Sequence, residues 1–505
     1  MNTHLLAAPI AWPLLAGALL LASGRLDPQT RRRLSLFASV CGLLLALRLM
    51  DHALEAGTVV SAMGNWPTQV GIVLVLDPLA ALMLCLSGVL GCVAALHVRS
   101  NADHDGARWH ALLQFQLLGL NSAFLTGDLF NLFVSFEVLL ISSYGLLLAS
   151  TGRSSIRAGI GYVLINLVGS SVFLVALALV YGAAGTLNMA ELGAALGQMT
   201  AQQQSIMHIA GALLLLVFAL KAALLPLCFW LPGGYAAASG AVAALFAVLS
   251  KVGLYALLRV GSTVYGGAAD DAFALLLPIG LATLTLGAIG ALAAPDLGRF
   301  AAHSVITSAG TGMVAFALGN SAAVAAGICY LLPSSLGSAL LFLIADLLRR
   351  MPGGSDQLHA TGAAAPPAAL KVLLFLALLD IASVPPFPGF LAKALLLTAS
   401  IDESRTAVLW CGLLGASLVV LLASMRGFAM IAWKRAPRLA DIDPKFPRSV
   451  WLAPLLLIAL IAGMSVFMAP LHRIAEIAAR TALDATAIAD AQARALISPR
   501  PPVTP

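Results

Sequence analysis

Four ionisable side chains stand inside long apolar runs, and a chain that keeps them there must fold around a polar interior within a membrane. Lys221 lies in LLLLVFALKAALLPLCFWLP, Lys251 in AVAALFAVLSKVGLYALL, Lys393 in SVPPFPGFLAKALLLTA and Glu137 in NLFVSFEVLLISSYGLLL. A charge at the bilayer centre costs about 2.5–3.5 kcal/mol on insertion scales. Four in one chain therefore point to an ion or proton pathway.

The surrounding composition makes lipid the solvent: 60% of residues are hydrophobic, 10% are charged and the mean hydropathy is +0.97. A soluble core does not hide that much apolar surface. A spanning helix needs about 20 residues, and the apolar runs predict an all-α polytopic membrane protein with about fourteen spans. Their expected extents are 4–23, 34–54, 74–98, 108–127, 129–150, 156–184, 206–231, 235–262, 271–293, 301–319, 322–348, 368–398, 407–433 and 451–471. The first run follows no basic segment and carries no clear small-residue cleavage site, so it reads as a retained span.

Short cytoplasmic loops carry the excess of Lys and Arg. With fourteen spans, 17 of the 28 basic residues fall on one side, against Arg48, Arg259 and Arg405 on the other. That bias places both termini outside and the loops at 151–157 and 434–448 inside, in a bacterial inner membrane. The net charge of +6 thus reflects topology. Dispersed over short loops without stacking aromatics, it gives no reason to expect a nucleic-acid partner.

Soluble-enzyme chemistry is missing from the pattern. The six cysteines all lie in apolar spans without a C-x-x-C or Cys/His spacing, which fits small core hydrophobes. The nine histidines supply no metal pair on one helix face, and there is no dinucleotide fingerprint, phosphate loop or nucleophile elbow. No cofactor and no metal are expected.

Prolines single out two spans. Lys221 is followed by Pro226, and Lys393 is preceded by Pro385, Pro386 and Pro388. Proline removes a backbone donor and clashes with the preceding turn, so the seventh and twelfth spans are expected to be broken. Five spans separate them, and an odd repeat length requires the second copy to be inverted, the plan of many secondary transporters. The expected organisation is 1–107 for spans one to three, 108–262 for a first five-helix repeat, 271–433 for a second, and 434–505 for a loop, the last span and a tail. In this scheme Lys393 takes the same relative place as Lys221.

The segments DLFNLFVSFEVLLISSYGLLL, FALKAALLPLCFWLP, AALFAVLSKVGLYALLRV and SVPPFPGFLAKALLL closely resemble the D-type membrane subunits of the multi-subunit monovalent cation/proton antiporters called Mrp or Pha. These are kin to the antiporter-like membrane subunits of respiratory NADH:quinone oxidoreductase. The resemblance, over roughly 65–435, implies that Glu137 and Lys221 form a central charged pair, that Lys251 continues an axial proton wire and that Lys393 ends it. It also implies partners: other membrane subunits of the same complex (A, B, C, E, F and G types), with protons and Na+ or K+ as the transported ions. The chain departs from the pattern at Cys228, where relatives commonly have His, and at Pro333 and Gly337, where many place His or Lys. His303 or water is then expected to bridge the eleventh span, and Gly337→Ala is expected to be silent.

A carboxylate and an ammonium about 4 Å apart attract by about 4 kcal/mol at an effective dielectric near 20, enough to offset much of their burial cost. Other acids read as follows. Asp77 before Pro78 suits a helix cap, Asp346 suits a pair with Arg349 or Arg350, and Asp380, just before the second break, is a candidate for hydrating a proton half-channel expected there. After the last span, residues 472–495 suit an interfacial helix and SPRPPVTP a disordered tail. Three function classes follow: a proton-translocating antiporter subunit; a proton-pumping membrane subunit of an NADH:quinone oxidoreductase or membrane hydrogenase; and a non-conducting scaffold, which has no reason to keep four costly charges. The wording DLGRFAAHSVITSAGTG at 296–312 resembles the antiporter.

Overall fold

The computed structural model describes residues 3–24, 26–66, 71–98, 106–149, 153–266, 270–359, 363–403, 405–433 and 449–497. The loop at 434–448, the tail from 498 and the basic residues Arg25 and Arg99, on which part of the expected topology rests, lie outside them. In chain order the helices are α1 (Ala8–Ala22), α2 (Pro28–Ala56), α3 (Pro78–His97), α4 (Gly106–Leu125), α5 (Leu129–Leu148), α6 (Arg153–Ala184), α7 (Met189–Leu196), α8 (Ala201–Lys221), α9 (Trp230–Ala237) and α10 (Gly240–Phe246). They continue as α11 (Leu249–Val260), α12 (Asp270–Ala293), α13 (Leu297–Ala317), α14 (Ser321–Arg350), α15 (Ala368–Ile381), α16 (Pro388–Ala399), α17 (Thr406–Ala432), α18 (Ser449–Val466), α19 (Met468–Leu483) and α20 (Ala487–Ile497). One antiparallel hairpin, β1 (Val59–Ala62) and β2 (Val73–Leu76), joins α2 to α3.

Eleven of these segments are long and apolar enough to cross a membrane, twelve if the bent pair α18–α19 counts as one. The difference from fourteen has a physical cause. In α4 the polar residues Gln114, Gln116 and Asn121 lower the hydropathy of an otherwise full-length helix, and α15 and α16 are each half-length pieces of one broken span. At the core, α3, α10–α11, α13 and α14 are buried nearly all round, whereas α1, α2, α8 and α17 turn apolar faces outward. Leu15 and Leu19 of α1 are 60% and 71% exposed, as expected of a surface wetted by lipid.

Short polar side chains start the helices. Asp27, Asp77, Asp128, Asp296 and Asn320 each accept a hydrogen bond from the amide three residues on, satisfying one of the orphan donors of a helix N-terminus. Asp77 does more than cap: its second oxygen lies 2.6 Å from Nη1 of Arg259, with both side chains buried. Arg259 is therefore a core residue within α11 rather than the loop residue its place in the charge count implies. The sequence hides this because Asp77 and Arg259 are far apart along the chain.

The two ends of the bundle differ in chemistry. At one, the β1–β2 hairpin, α7 and α20 meet, with Ile488 against Val60 and Val73 and Gln492 Nε2 donating to Asn188 Oδ1 at 3.3 Å. At the other, ion pairs gather: Asp346 with Arg350 (2.7 Å) and His97 (2.7 Å), Arg349 with Asp356 (3.3 Å) and Arg299 with Asp296 (3.1 Å). The expected Asp346 pair is present, joined by a histidine from α3. The chain bends by 82° between α18 and α19, so the last span stops earlier than expected and residues beyond it form two helices.

Candidate proton pathway

Lys221 is the last residue of α8, and the chain breaks immediately after it. Ala223 takes φ +55°, and the amide of Leu224 reaches back to the carbonyl of Ala219 at 2.9 Å. The span resumes at α9. The second break repeats this geometry: α15 ends at Ile381, Ser383 takes φ +54°, and the amide of Val384 reaches the carbonyl of Leu379 at 3.1 Å. Each is followed by a cis X-Pro bond, at Pro226 and at Pro386. Non-glycine residues rarely adopt positive φ, so the same departure at both places marks a shared construction.

This register corrects the expected correspondence of the lysines. The offset of 160 residues between Ala223 and Ser383 sets Lys221 opposite Ile381, with Asp380 one residue earlier. Lys393 instead lies beyond the break, within α16. The charge flanking the first break is basic and the one flanking the second is acidic.

Around the first break, Glu137 of α5 accepts a hydrogen bond from Ser170 Oγ, and Lys221 Nζ donates to Asn166 Oδ1 at 3.2 Å. Asn166 and Ser170 stand four apart on α6 and so share one face. Asn166 Nδ2 donates to the Tyr162 carbonyl at 2.9 Å, which turns its oxygen toward the lysine. The ammonium also lies 5.7 Å from the centroid of the Phe136 ring, within cation–π range. The expected direct ion pair is not formed: α6 packs against both α5 and α8, and its hydroxyl and amide hold the carboxylate and the ammonium separately.

Lys251 has 0% exposure and Lys221 has 5%, yet neither has an ion-pair partner among the described residues. Lys251 Nζ donates to Ser308 Oγ of α13 at 2.7 Å and lies 3.4 Å from Ser250 Oγ. The span that holds it is itself interrupted: around Ala247 and Val248 the backbone switches to i→i+3 bonds of 3.3 Å, with no proline to announce it. Gly253, two residues beyond Lys251, packs directly on the backbone of Lys221 and Ala222. A side chain there would separate α11 from the first break.

From Ser308 the polar line continues along α13. Ser304, Ser308 and Thr311 recur at helical spacing, and Ser304 Oγ shares a hydrogen bond of 3.0 Å with Ser338 of α14. Asp380 is 4% exposed, and its carboxylate has no hydrogen-bond or ion-pair partner among the described residues. Gly337 of α14 leaves the space that this carboxylate fills. The Tyr330 hydroxyl lies against Thr311 and Ser383, and its ring lies 5.4 Å from Lys393 Nζ. Lys393 is partly buried and donates to Ser417 Oγ of α17 at 2.9 Å. His303 faces α12, packed on Gly290, and its Nδ1 has no partner among the described residues.

The residues that sequence reasoning missed are therefore the neutral holders: Asn166, Ser170, Ser308, Ser417 and Tyr330. A weak signal existed, since Asn166 and Ser170 are polar residues four apart in an apolar run.

A bundle of interrupted helices with charges lodged at the interruptions defines the discontinuous-helix class of polytopic membrane proteins. Residues 126–419 match the family described as NADH:quinone oxidoreductase/Mrp antiporter, transmembrane, and the chain belongs to it. It is 39% identical over 427 residues, covering 79% of each chain, to the D subunit of a probable K(+)/H(+) antiporter of Rhizobium meliloti (strain 1021). It is 32% identical, covering 85% of this chain and 87% of the relative, to the D subunit of the Na(+)/H(+) antiporter of Alkalihalophilus pseudofirmus. Its fold superposes on a chain of the Mrp complex from Dietzia sp. DQ12-45-1b with TM-score 0.87 and 25% identity, over 97% of this chain and 99% of that one.

Proposed function

We propose that this chain is the proton-translocating subunit of a multi-subunit monovalent cation/proton antiporter in a bacterial inner membrane, with both termini outside. It is a transporter subunit rather than a catalytic enzyme, and its partners are the other membrane subunits of the same complex. Protons pass from Glu137 and Lys221 to Lys251, then along the α13 hydroxyls past Asp380 to Lys393. The two halves of the route are inverted repeats of five spans, at 108–262 and 271–433, flanked by 1–107 and 434–505. His303, facing α12, stands beside this route rather than on it.

The observation that carries this reading is that each buried lysine is held by a neutral hydroxyl or amide rather than by a counter-charge. A permanent ion pair would fix the charge state, whereas an ammonium held by Asn166, Ser308 or Ser417 can lose its proton and leave a neutral, hydrogen-bonded amine behind. Neighbouring sites then titrate as a group. The second reading is a proton-pumping membrane subunit of a quinone-linked oxidoreductase, favoured by the family description, which covers both; mass spectrometry of the purified complex separates them by the partners found.

Glu137→Ala and Lys221→Ala in the assembled complex test the route. Dye quenching in everted vesicles is expected to show exchange lost in both, with the complex intact on native gels. Wild-type exchange in either one removes that residue from the pathway and the reading with it.

A further inference from the structure

A small cavity lies at the end of the α15 half-helix, lined by Ser304, Thr307, Tyr330, Ser334, Asp380 and Ser383. Its volume open to the centre of a water molecule is about 10 Å³, room for a single water or a single small ion. Apolar Ile381 and Val420 also line it, and three of its hydroxyls are engaged alike. Ser304 Oγ donates to the Ala301 carbonyl at 2.7 Å, Thr307 Oγ1 to the His303 carbonyl at 3.0 Å and Ser334 Oγ to the Leu331 carbonyl at 3.1 Å. Each of these hydroxyls is within donor reach of a carbonyl on its own helix, an arrangement that leaves lone pairs for the cavity, and Ser304 also shares its bond with Ser338. Tyr330 and Ser383 lie against each other. Beside these acceptors Asp380 lines the cavity with a carboxylate whose Oδ2 has no hydrogen-bond partner among the described residues.

Three terms act against an ionised, unoccupied Asp380. Burying an unpaired carboxylate is expensive enough that such groups neutralise or bind a cation. The carboxyl end of a helix carries partial negative charge, which disfavours an acid in its last turn. The lone pairs of the hydroxyls repel the anion instead of solvating it. Of the titratable groups on the surrounding elements, Tyr330 of α14 shares the cavity lining with Asp380, while Lys393 on α16, Lys251 on α11 and His303 on α13 form no ion pair with it. Carboxylate, hydroxyls and the carboxyl end of a half-helix are the oxygen ligands that bind monovalent cations at broken transporter helices.

We propose that the Asp380 cavity is a binding site that takes either a proton or one dehydrated monovalent cation, and not both. On cation entry the carboxyl O–H breaks, the proton leaves to solvent and the cation takes its place against the carboxylate oxygens, so the charge of the cavity is unchanged. The site makes this chain a carrier of the cation as well as the proton, which goes beyond the proton route above.

The test uses the purified, assembled complex in weakly buffered detergent solution, titrated with sodium chloride or potassium chloride and with choline chloride as the inert salt. Proton release is followed with a pH dye and cation binding with radioactive sodium or rubidium. Wild-type complex is expected to release a proton as sodium or potassium binds, and Asp380→Asn to bind one cation fewer per chain and release one proton fewer. Ser334→Ala, which keeps the carboxyl, is expected to weaken cation binding several-fold while proton release at saturating cation stays as in wild type. That variant carries the test if Asp380→Asn does not assemble. Equal binding in wild type and both variants overturns the proposal, and so does loss of proton release in Asp380→Asn with cation binding unchanged, which would make Asp380 a proton site alone. Lys221→Ala leaves this cavity intact and is expected to retain the release, so failure of the cation site is distinguishable from failure of the proton route.

Discussion

The two broken spans share a backbone and differ in what they hold. At the first, a lysine ends the half-helix, where the dipole favours a cation, and Asn166 and the Phe136 ring receive it. At the second, the equivalent turn carries Asp380, where the same dipole is unfavourable and no group compensates. The lysine of this half has moved past the break to position 393 and rests on Ser417 and Tyr330. One scaffold therefore presents a satisfied cation and an unsatisfied acid, and that asymmetry suits a route that must load at one break and exchange at the other.

The comparison is broken most readily at Asn166. Hydrogen bonds to charged groups contribute about 1.5–3 kcal/mol, so Asn166→Ala is expected to lower exchange by about tenfold or more in everted vesicles, with Asn166→Asp altering its pH dependence instead. Undiminished exchange in Asn166→Ala would mean that the first break does not depend on a neutral holder. Next in size is Gly337→Ala. A methyl group there runs into the Asp380 carboxylate, and overpacking of this kind costs about 1–3 kcal/mol. Lower thermal stability of the complex and impaired exchange are expected, with stability recovered in the double variant Gly337→Ala/Asp380→Ala. The smallest effect is expected for Ser417→Ala, because Lys393 is partly exposed and keeps Tyr330. A loss there as large as that of Asn166→Ala would contradict the difference drawn between the two lysines.

What is legible in the sequence follows from what is local. Apolar runs, caps such as Asp77 and prolines after Lys221 and before Lys393 are written in neighbouring residues, and they yield the spans, the buried charges and both breaks. Partners across the bundle are not local. Nothing near Glu137 or Lys221 in the chain says that α6 packs against both and supplies a holder to each, so a direct pair is the natural reading and the separate holders come only with packing. Gly337 reads as inert in its apolar run, since the carboxylate it accommodates lies 43 positions away. Lys393 matches Lys221 in the sequence because both sit near proline, but the register of the two positive-φ residues assigns that place to the neighbourhood of Asp380. The interruption before Lys251 has no proline or glycine to betray it, and the bonding of Arg259 to Asp77 requires the fold.

The central claim, that protons traverse both breaks in series, is tested most directly by measuring cation-driven proton movement in proteoliposomes holding the assembled complex, with Lys221→Ala and Lys393→Ala compared at matched content. The series route predicts that each substitution alone stops exchange to the same degree and that the double variant is no worse than either. Full exchange in Lys393→Ala beside a dead Lys221→Ala would show that protons leave through the first half or a neighbouring protein of the complex, and the two-break route would fall.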